Sequence, residues 1–130
     1  MGTTKPRGRI LIVDDQFFIV EYLRVWVETY GFEVCGVAKT AASAVEQALQ
    51  QKPDVILMDV RLDGDRDGID AALEICGSLK TRVVYITGSS ESPTMARINE
   101  DHPFAVLIKP IDPAELQKVL MRAFEGQEPK

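Results

Sequence analysis

Short runs of apolar side chains alternate along the chain with segments whose apolar positions follow helical spacing. The runs are only a few residues long and rich in β-branched side chains, as at residues 10–13 and 55–58. Such runs are typical of strands that are buried on both faces of a parallel sheet. The pattern predicts five strands, at residues 9–14, 32–38, 54–59, 82–87 and 104–108.

The segments between these strands predict helices. The first follows helical spacing from about residue 19, and Gly31 supplies its end. In the last helix, Asp112 is a good N-cap, Pro113 suits the first helical position and Glu115 completes an arrangement like a capping box. The other helical patterns cover residues 41–51, 68–79 and, in a short polar segment, about 92–100.

Five strands interleaved with five helices predict a doubly wound α/β fold, in which a five-stranded parallel sheet carries helices on both faces. The 130 residues are enough for one domain. We expect a flexible leader over residues 1–8, the folded domain over residues 9–126 and a frayed tail over residues 127–130.

The composition narrows the classes of function. With 45% hydrophobic and 27% charged residues, the chain is typical of a globular protein. Its net charge of −5 argues against direct binding of nucleic acid, because such domains usually carry a basic patch. No segment approaches the ~20 consecutive apolar residues of a transmembrane helix, and no signal peptide is visible. We therefore expect a soluble, cytoplasmic protein that does not contact a membrane.

Acidic residues lie where two of the predicted strands end. Asp14 and Asp15 close the first strand, and Asp59 closes the third. Open α/β sheets bind ligands at the carboxyl ends of their strands, so we expect these three carboxylates to lie close together. They would repel one another unless a cation lay between them, and carboxylate oxygens suit Mg²⁺. The sequence therefore predicts a divalent-metal site, with Mg²⁺ as the cofactor, built for phosphoryl chemistry.

Two more polar residues end the fourth and fifth predicted strands. These are Thr87 and Lys109. If all five strands are parallel, both residues share the sheet edge with the acids. That edge then carries a metal-binding acid cluster, a candidate carboxylate nucleophile, a hydroxyl donor and a cation.

The residues around these positions resemble the receiver domain of two-component response regulators. The resemblance covers about residues 8–125 and implies a flavodoxin-like receiver fold with strand order 2-1-3-4-5. It also implies a phosphoacceptor signalling domain and not an enzyme, with self-phosphorylation and autodephosphorylation as its chemistry. The motifs that carry it are Ile-Val-Asp14-Asp15, Leu-Met-Asp59, Ile-Thr87-Gly and Ile-Lys109-Pro110.

The resemblance implies a role for each acid at the predicted sheet edge. Asp59 would be the phosphoacceptor, attacking phosphorus to form an aspartyl phosphate. Asp15 would bind Mg²⁺ directly and Asp14 would help through water. Asp59 itself and the backbone carbonyl of Arg61 would complete the protein ligands of the metal.

The resemblance also implies how a signal enters and leaves. A histidine kinase or phosphotransfer protein would supply the phosphoryl group. Thr87 would hydrogen-bond the phosphoryl oxygens and Lys109 would pair with one of them, next to a cis Lys109–Pro110 bond. The added charge would reshape a surface that a downstream protein target recognises. Output would then pass through that partner, onward phosphotransfer or homodimerisation.

One departure from the family affects the switch. Receivers usually carry Tyr or Phe three residues before the lysine, where this chain has Val106. We hypothesise that Phe104, expected on the same face of a strand of period two, or Tyr85 takes the role of that aromatic. A partial resemblance to the FAT GUY subgroup, whose members often lack this aromatic and are often free-standing, rests on Tyr85-Ile86-Thr87-Gly88, Pro103-Phe104 and Lys109-Pro110.

Three other classes of protein are alternatives to the receiver. A haloacid-dehalogenase-like phosphatase also uses an Asp at a strand end, but it needs a second Asp two residues later, where this chain has Arg61. A flavodoxin needs a phosphate-binding loop after the first strand, where Asp14 and Asp15 would repel phosphate. The alternative that stays open is a pseudo-receiver, an interaction module that keeps the fold and works without phosphorylation.

Overall fold

The structure is a computed structural model that describes residues 7–62, 64, 66–88 and 103–125. Its strands are β1 (Arg9–Val13), β2 (Glu33–Ala38), β3 (Val55–Asp59), β4 (Arg82–Thr87) and β5 (Ala105–Ile108). Its helices are α1 (Phe17–Thr29), α2 (Ala41–Gln51), α3 (Gly68–Cys76) and α4 (Pro113–Ala123). Among these described helices, none is both long enough and apolar enough to cross a membrane.

The strand predictions are confirmed to within one residue at each end. The predicted third helix is confirmed at its start but ends at Cys76, three residues before the predicted end. After Cys76 the chain continues only as a turn, in which the backbone N–H groups of Ser78 and Leu79 both donate to the carbonyl of Ile75. The helix predicted at about 92–100 lies outside the described residues, as do residues 1–6 of the predicted leader and the tail at 127–130.

The sheet has the order β2-β1-β3-β4-β5, and each of its four strand pairings is parallel. This confirms the predicted doubly wound α/β fold and the strand order of a receiver. The order reverses between β1 and β3, and open α/β sheets bind ligands in the crevice outside the carboxyl ends of the strands at such a point. The acids predicted at the strand ends therefore lie at the edge where a ligand is expected.

Hydrophobic side chains fill both faces of the sheet. Along β1, Ile10 and Ile12 pack into the core shared with α1 and α4, whereas Leu11 and Val13 pack into the core shared with α2 and α3. Every residue of β3 is buried. Burial of a Val, Leu or Ile side chain contributes about 1.5–3 kcal/mol. Because a shift by one residue would reverse the faces of a strand, these two cores fix the position of the acids at its end.

The N-terminus of α3 is closed by a reciprocal capping box. The Asp67 side chain accepts a hydrogen bond from the Asp70 backbone N–H, and the Asp70 side chain accepts one from the Asp67 backbone N–H, both at 3.0 Å. At α4 the predicted N-cap Asp112 and the first-turn Pro113 are confirmed, with Asp112 accepting from Ala114. Within the described residues, the reciprocal box is formed at α3 and not at the predicted place in α4.

Replacement of Asp67 by Ala is expected to lower the free energy of unfolding by about 1 kcal/mol, because the Asp70 N–H loses its acceptor. Chemical denaturation of the purified variant measures this change. Glu46→Ala on the exposed side of α2 is the matched control, with an expected change below about 0.5 kcal/mol. Equal stability of the Asp67→Ala variant and the wild type would contradict a stabilising role of the cap.

Candidate functional site

The ends of β1 and β3 bring three carboxylates together. Asp14 and Asp15 follow β1, and Asp59 is the last residue of β3. One carboxylate oxygen from each acid lies within 4.8 Å of the others. Asp14 is fully buried, Asp59 is 4% exposed and Asp15 is half-buried. The predicted convergence of the three acids is confirmed.

Lys109 reaches this cluster from the end of β5. Its Nζ lies 3.4 Å from Asp14 Oδ2 and 3.6 Å from Asp59 Oδ1. Its backbone N–H donates to the carbonyl of Thr87 at 2.8 Å, which joins the ends of β5 and β4. The Lys109–Pro110 peptide bond is cis, as the family resemblance implied. The lysine ammonium therefore lies between two of the three carboxylates.

Thr87 and Arg61 lie at the same sheet edge with different exposure. Thr87 is buried and ends β4. It follows Ile86, which is paired with Asp59 in the sheet. The Arg61 side chain is exposed, and its backbone N–H hydrogen-bonds the Asp59 carboxylate. The role of the Arg61 carbonyl as a metal ligand stays a prediction.

Burial and negative charge disfavour the ionised form of Asp59. Burial, followed by the nearby charge of Asp14, raises the pKa of Asp59 from 3.8 to about 6, against smaller opposing effects of Lys109 and the Arg61 N–H. Asp14 Oδ1 accepts a hydrogen bond from the Gln16 backbone N–H at 2.9 Å. Asp14 Oδ2 is buried and accepts no hydrogen bond within the described chain. Lys109 Nζ is close enough to Oδ2 for an ion pair, but not aligned for a hydrogen bond.

These features fit a hard divalent cation. One oxygen from each of three carboxylates meets at this edge, and Lys109 Nζ lies within 3.6 Å of two of these acids. A buried carboxylate oxygen that accepts no hydrogen bond is costly. Carboxylates and water are the ligands that Mg²⁺ prefers in proteins. The acid cluster could therefore hold a metal ion.

The start of α3 lies close behind Asp59. A Cβ added at Gly68 would lie 2.1 Å from the Asp59 carbonyl oxygen and 2.9 Å from Met58 Cγ. The Gly68 N–H donates to the carbonyl of Val60 at 2.8 Å. Sequence reasoning missed this residue, and the available signal was a glycine at the start of a helical pattern. Its missing side chain allows α3 to begin against the backbone of the site.

The structure corrects the expectation about Phe104. Phe104 precedes β5 and packs into the core shared with α1 and α4, whereas Val106 packs into the opposite core. The premise that the two share a face is wrong, because the alternation of β5 begins only at Ala105. Phe104 also lies at the far end of β5 from Lys109. Tyr85 is the register partner of Val106 and is fully buried in the same core, so it is the better candidate for the missing aromatic.

Comparison with known proteins gives the same class. The family model for the response regulator receiver domain matches residues 10–121. The transcriptional regulatory protein PdtaR of Mycobacterium tuberculosis is 36% identical over 111 residues, which is 85% of this chain and 53% of PdtaR. The phyllosphere-induced regulator PhyR of Methylorubrum extorquens is 32% identical over 120 residues, which is 92% of this chain and 44% of PhyR. The chain thus spans about half the length of these curated relatives.

Solved structures of receiver domains also match this chain. The signal receiver domain of a modulated diguanylate cyclase from Desulfovibrio desulfuricans G20 matches with a TM-score of 0.84 and 30% identity over 89% of this chain and 92% of that one. The response regulator domain of CheB from Thermotoga maritima matches with a TM-score of 0.78 and 27% identity, over 88% of this chain and 95% of that one. The chain belongs to the response regulator receiver domain family. It is therefore a signalling domain of the two-component type, a class that interacts with kinases or phosphotransfer proteins.

Proposed function

We propose that this chain is a phosphorylation switch that accepts a phosphoryl group on Asp59 in the presence of Mg²⁺. A histidine kinase or phosphotransfer protein donates the group, and the modified domain, residues 9–126, presents a changed surface to a downstream protein. The observation that carries the proposal is the setting of Asp59. Its carboxylate lies among the oxygens of Asp14 and Asp15 and 3.6 Å from Lys109 Nζ. Membership of the receiver family supports the same function.

Asp59 acts as the nucleophile in this proposal. A carboxylate oxygen attacks the phosphorus of a phosphohistidine, the P–N bond breaks and its electron pair returns to the imidazole nitrogen. Lys109 pairs with a phosphoryl oxygen, for which its position 3.6 Å from Asp59 Oδ1 is suitable. The Thr87 hydroxyl donates a hydrogen bond to another phosphoryl oxygen. The domain itself performs no other catalysis in this proposal.

The metal would be held at the acid cluster. Asp15 would bind it directly, Asp14 would help through water, and the Asp59 carboxylate and the Arg61 carbonyl would complete the protein ligands. Bound Mg²⁺ supplies positive charge that offsets the charge on the incoming phosphoryl oxygens. Asp14 Oδ2 supports this assignment, because it is buried and accepts no hydrogen bond from the described residues, and a cation relieves the cost of that.

Phosphorylation would change the contacts at the end of β4. Lys109 exchanges its pairing with Asp59 for one with the phosphoryl group, and Thr87 turns its hydroxyl toward that group. Tyr85 lies two residues before Thr87 on the same face and beside Val106, so a shift of Thr87 reaches the edge strand β5. Output then passes through a partner protein, onward phosphotransfer or homodimerisation.

Intact-mass measurement after incubation with a small phosphodonor and Mg²⁺ tests the proposal. We expect the wild type to gain one phosphoryl group, since the acid cluster and Lys109 surround Asp59. The Asp59→Asn variant, which keeps the shape of the side chain without the nucleophilic oxygen, is expected to gain none. Removal of Mg²⁺ with a chelator should strongly slow the uptake by the wild type. Absence of an adduct with every donor tried would overturn the proposal and favour the pseudo-receiver.

A further inference from the structure

The hydroxyls of Tyr22 in α1 and of Tyr30 directly after α1 bind the segment that follows Lys109. Tyr22 Oη donates to the carbonyl of Ile111 at 2.8 Å, and Tyr30 Oη donates to the carbonyl of Pro113 at 2.9 Å. The two acceptors lie two and four residues after Lys109. The tyrosines are eight residues apart, little more than two helical turns, and both hydroxyls reach the segment after Lys109.

This segment is also anchored by burial at the point where the tyrosines bind it. The Ile111 side chain is buried in the core shared by α1 and α4. The Tyr30 ring stacks on Trp26 with the ring centroids 5.7 Å apart, which limits its freedom. The Tyr30 hydroxyl therefore connects an aromatic pair at the end of α1 to the first residue of α4, whereas Tyr22 is 38% exposed.

Helix α1 thus connects the two halves of the site. Asp14 and Asp15 lie just before the helix, and Tyr22 within it and Tyr30 directly after it bind the segment that follows Lys109. A lysine side chain is flexible and does not fix its own ammonium group, so the position of Nζ is set by its carboxylate partners together with the position of its backbone. Lys109 Nζ is 3.4 Å and 3.6 Å from its two carboxylate partners, and a backbone shift of about 1 Å would weaken one of these contacts.

We propose that Tyr22 and Tyr30 are positioning residues for Lys109. Their hydroxyls hold its segment so that Nζ stays between Asp14 and Asp59. The proposal rests on the proposed function for its consequence in phosphorylation, but the position of the ammonium also affects metal binding. A lysine held against Asp14 and Asp59 competes with a cation for the same oxygens.

The far end of α4 provides a matched control. Arg82 Nη1 donates to the carbonyl of Ala123, the last residue of α4, at 2.8 Å. Arg82→Met removes a side-chain hydrogen bond to this helix region, as Tyr→Phe does, but at the end of α4 away from Lys109. General loosening of α4 and loss of lysine placement can therefore be separated.

The test compares wild type, Tyr22→Phe/Tyr30→Phe, Arg82→Met and Lys109→Met, each checked for folding by circular dichroism. Phosphoryl uptake is measured against donor concentration at saturating Mg²⁺, and Mg²⁺ affinity is measured separately by calorimetric titration. For the double tyrosine variant we expect a maximal uptake rate about tenfold lower, because misplacement by about 1 Å can cost up to a hundredfold. The donor concentration at half-maximal rate should stay the same. Arg82→Met should keep the rate of the wild type.

Metal affinity supplies the second criterion. Lys109→Met removes the competing charge, so it should bind Mg²⁺ more tightly than the wild type, and the double tyrosine variant should change in the same direction. A merely loosened site would bind Mg²⁺ more weakly. Equal uptake of phosphoryl groups by the double variant and the wild type would overturn the proposal that the two tyrosines position Lys109.

Failure of the proposed function gives a different result. If the wild type takes up no phosphoryl group, the proposed function fails. The Mg²⁺ titration alone then decides whether the two tyrosines position Lys109. Affinity of the double variant that is unchanged, or weaker than that of the wild type, would overturn this positioning role. If a single Tyr→Phe variant is needed because the double variant does not fold, the same two criteria apply to each single variant.

Discussion

Replacement of Asp59 by Asn is expected to stabilise the metal-free protein at pH 7.5 by up to about 3 kcal/mol. The pKa of Asp59 is raised from 3.8 to about 6 in the folded protein, mainly by burial and then by the charge of Asp14. Ionisation of a group with a raised pKa costs stability, and two pH units correspond to about 3 kcal/mol. Asn has the same shape without the charge, so the variant avoids this cost.

The sign of the pH dependence follows from proton binding. Between pH 3.8 and about 6 the folded protein holds a proton on Asp59 that the unfolded chain has released. Stability contributed by this group therefore falls as pH rises through that window, and the loss is complete above it. The difference between wild type and Asp59→Asn should accordingly be largest at pH 7 to 8 and vanish near pH 4.

Denaturant titrations in the presence of a chelator, at pH 4 and pH 7.5, measure this effect. Glu46→Gln is the control for removal of one negative charge at an exposed position and should change stability by less than about 0.5 kcal/mol. Mg²⁺ at 100 times its Kd should stabilise the wild type by about 2.7 kcal/mol and so reduce the gap. If the Asp59→Asn variant is no more stable than the wild type at pH 7.5, ionisation of Asp59 does not destabilise the folded protein.

Replacement of Gly68 by Ala is expected to lower the free energy of unfolding by about 3 kcal/mol and to impair phosphoryl uptake. The added Cβ would lie 2.1 Å from the Asp59 carbonyl oxygen. Rotation of a side chain cannot relieve overlap with a backbone oxygen, so the end of β3 or the start of α3 must shift. Movement of the end of β3 displaces the Asp59 carboxylate from Lys109 and the other acids. Denaturation and the intact-mass assay measure the two effects.

Gly88→Ala is the matched control for this change. Gly88 follows Thr87 at the same sheet edge, but a Cβ added there meets no atom of the described residues within 4 Å. Its expected change in the free energy of unfolding is below about 0.5 kcal/mol. Similar stability and uptake for the Gly68→Ala and Gly88→Ala variants would show that the close approach at Gly68 does not position Asp59.

The fold and the acid cluster could be predicted because they depend on local patterns and on one general rule of sheet geometry. Apolar runs that are buried on both faces identify β1 and β3, and each run is followed by an acid. Parallel pairing then brings Asp14, Asp15 and Asp59 to one edge without further information. The placement of Thr87 and Lys109 at that edge follows in the same way.

The packing around the site could not be predicted in this way. The face of Phe104 depends on the residue at which β5 begins, and an error of one residue reverses the face. The crowding at Gly68 depends on how closely the start of α3 approaches the end of β3. The capping box forms at Asp67, whereas the sequence favoured one at Asp112. The backbone conformation at the start of each helix decides which side chain can reach the backbone.

The sequence by itself determined the order of strands and helices, the family and the chemical groups at the ends of the strands. Periodicity and residue type encode these features locally, and parallel pairing extends them to a shared edge. Only the tertiary structure decided the hydrogen bond from Tyr22 to Ile111, which joins residues 89 positions apart, and the raised pKa of Asp59. Both depend on how completely distant segments exclude water and approach one another, and that is a property of the packed molecule.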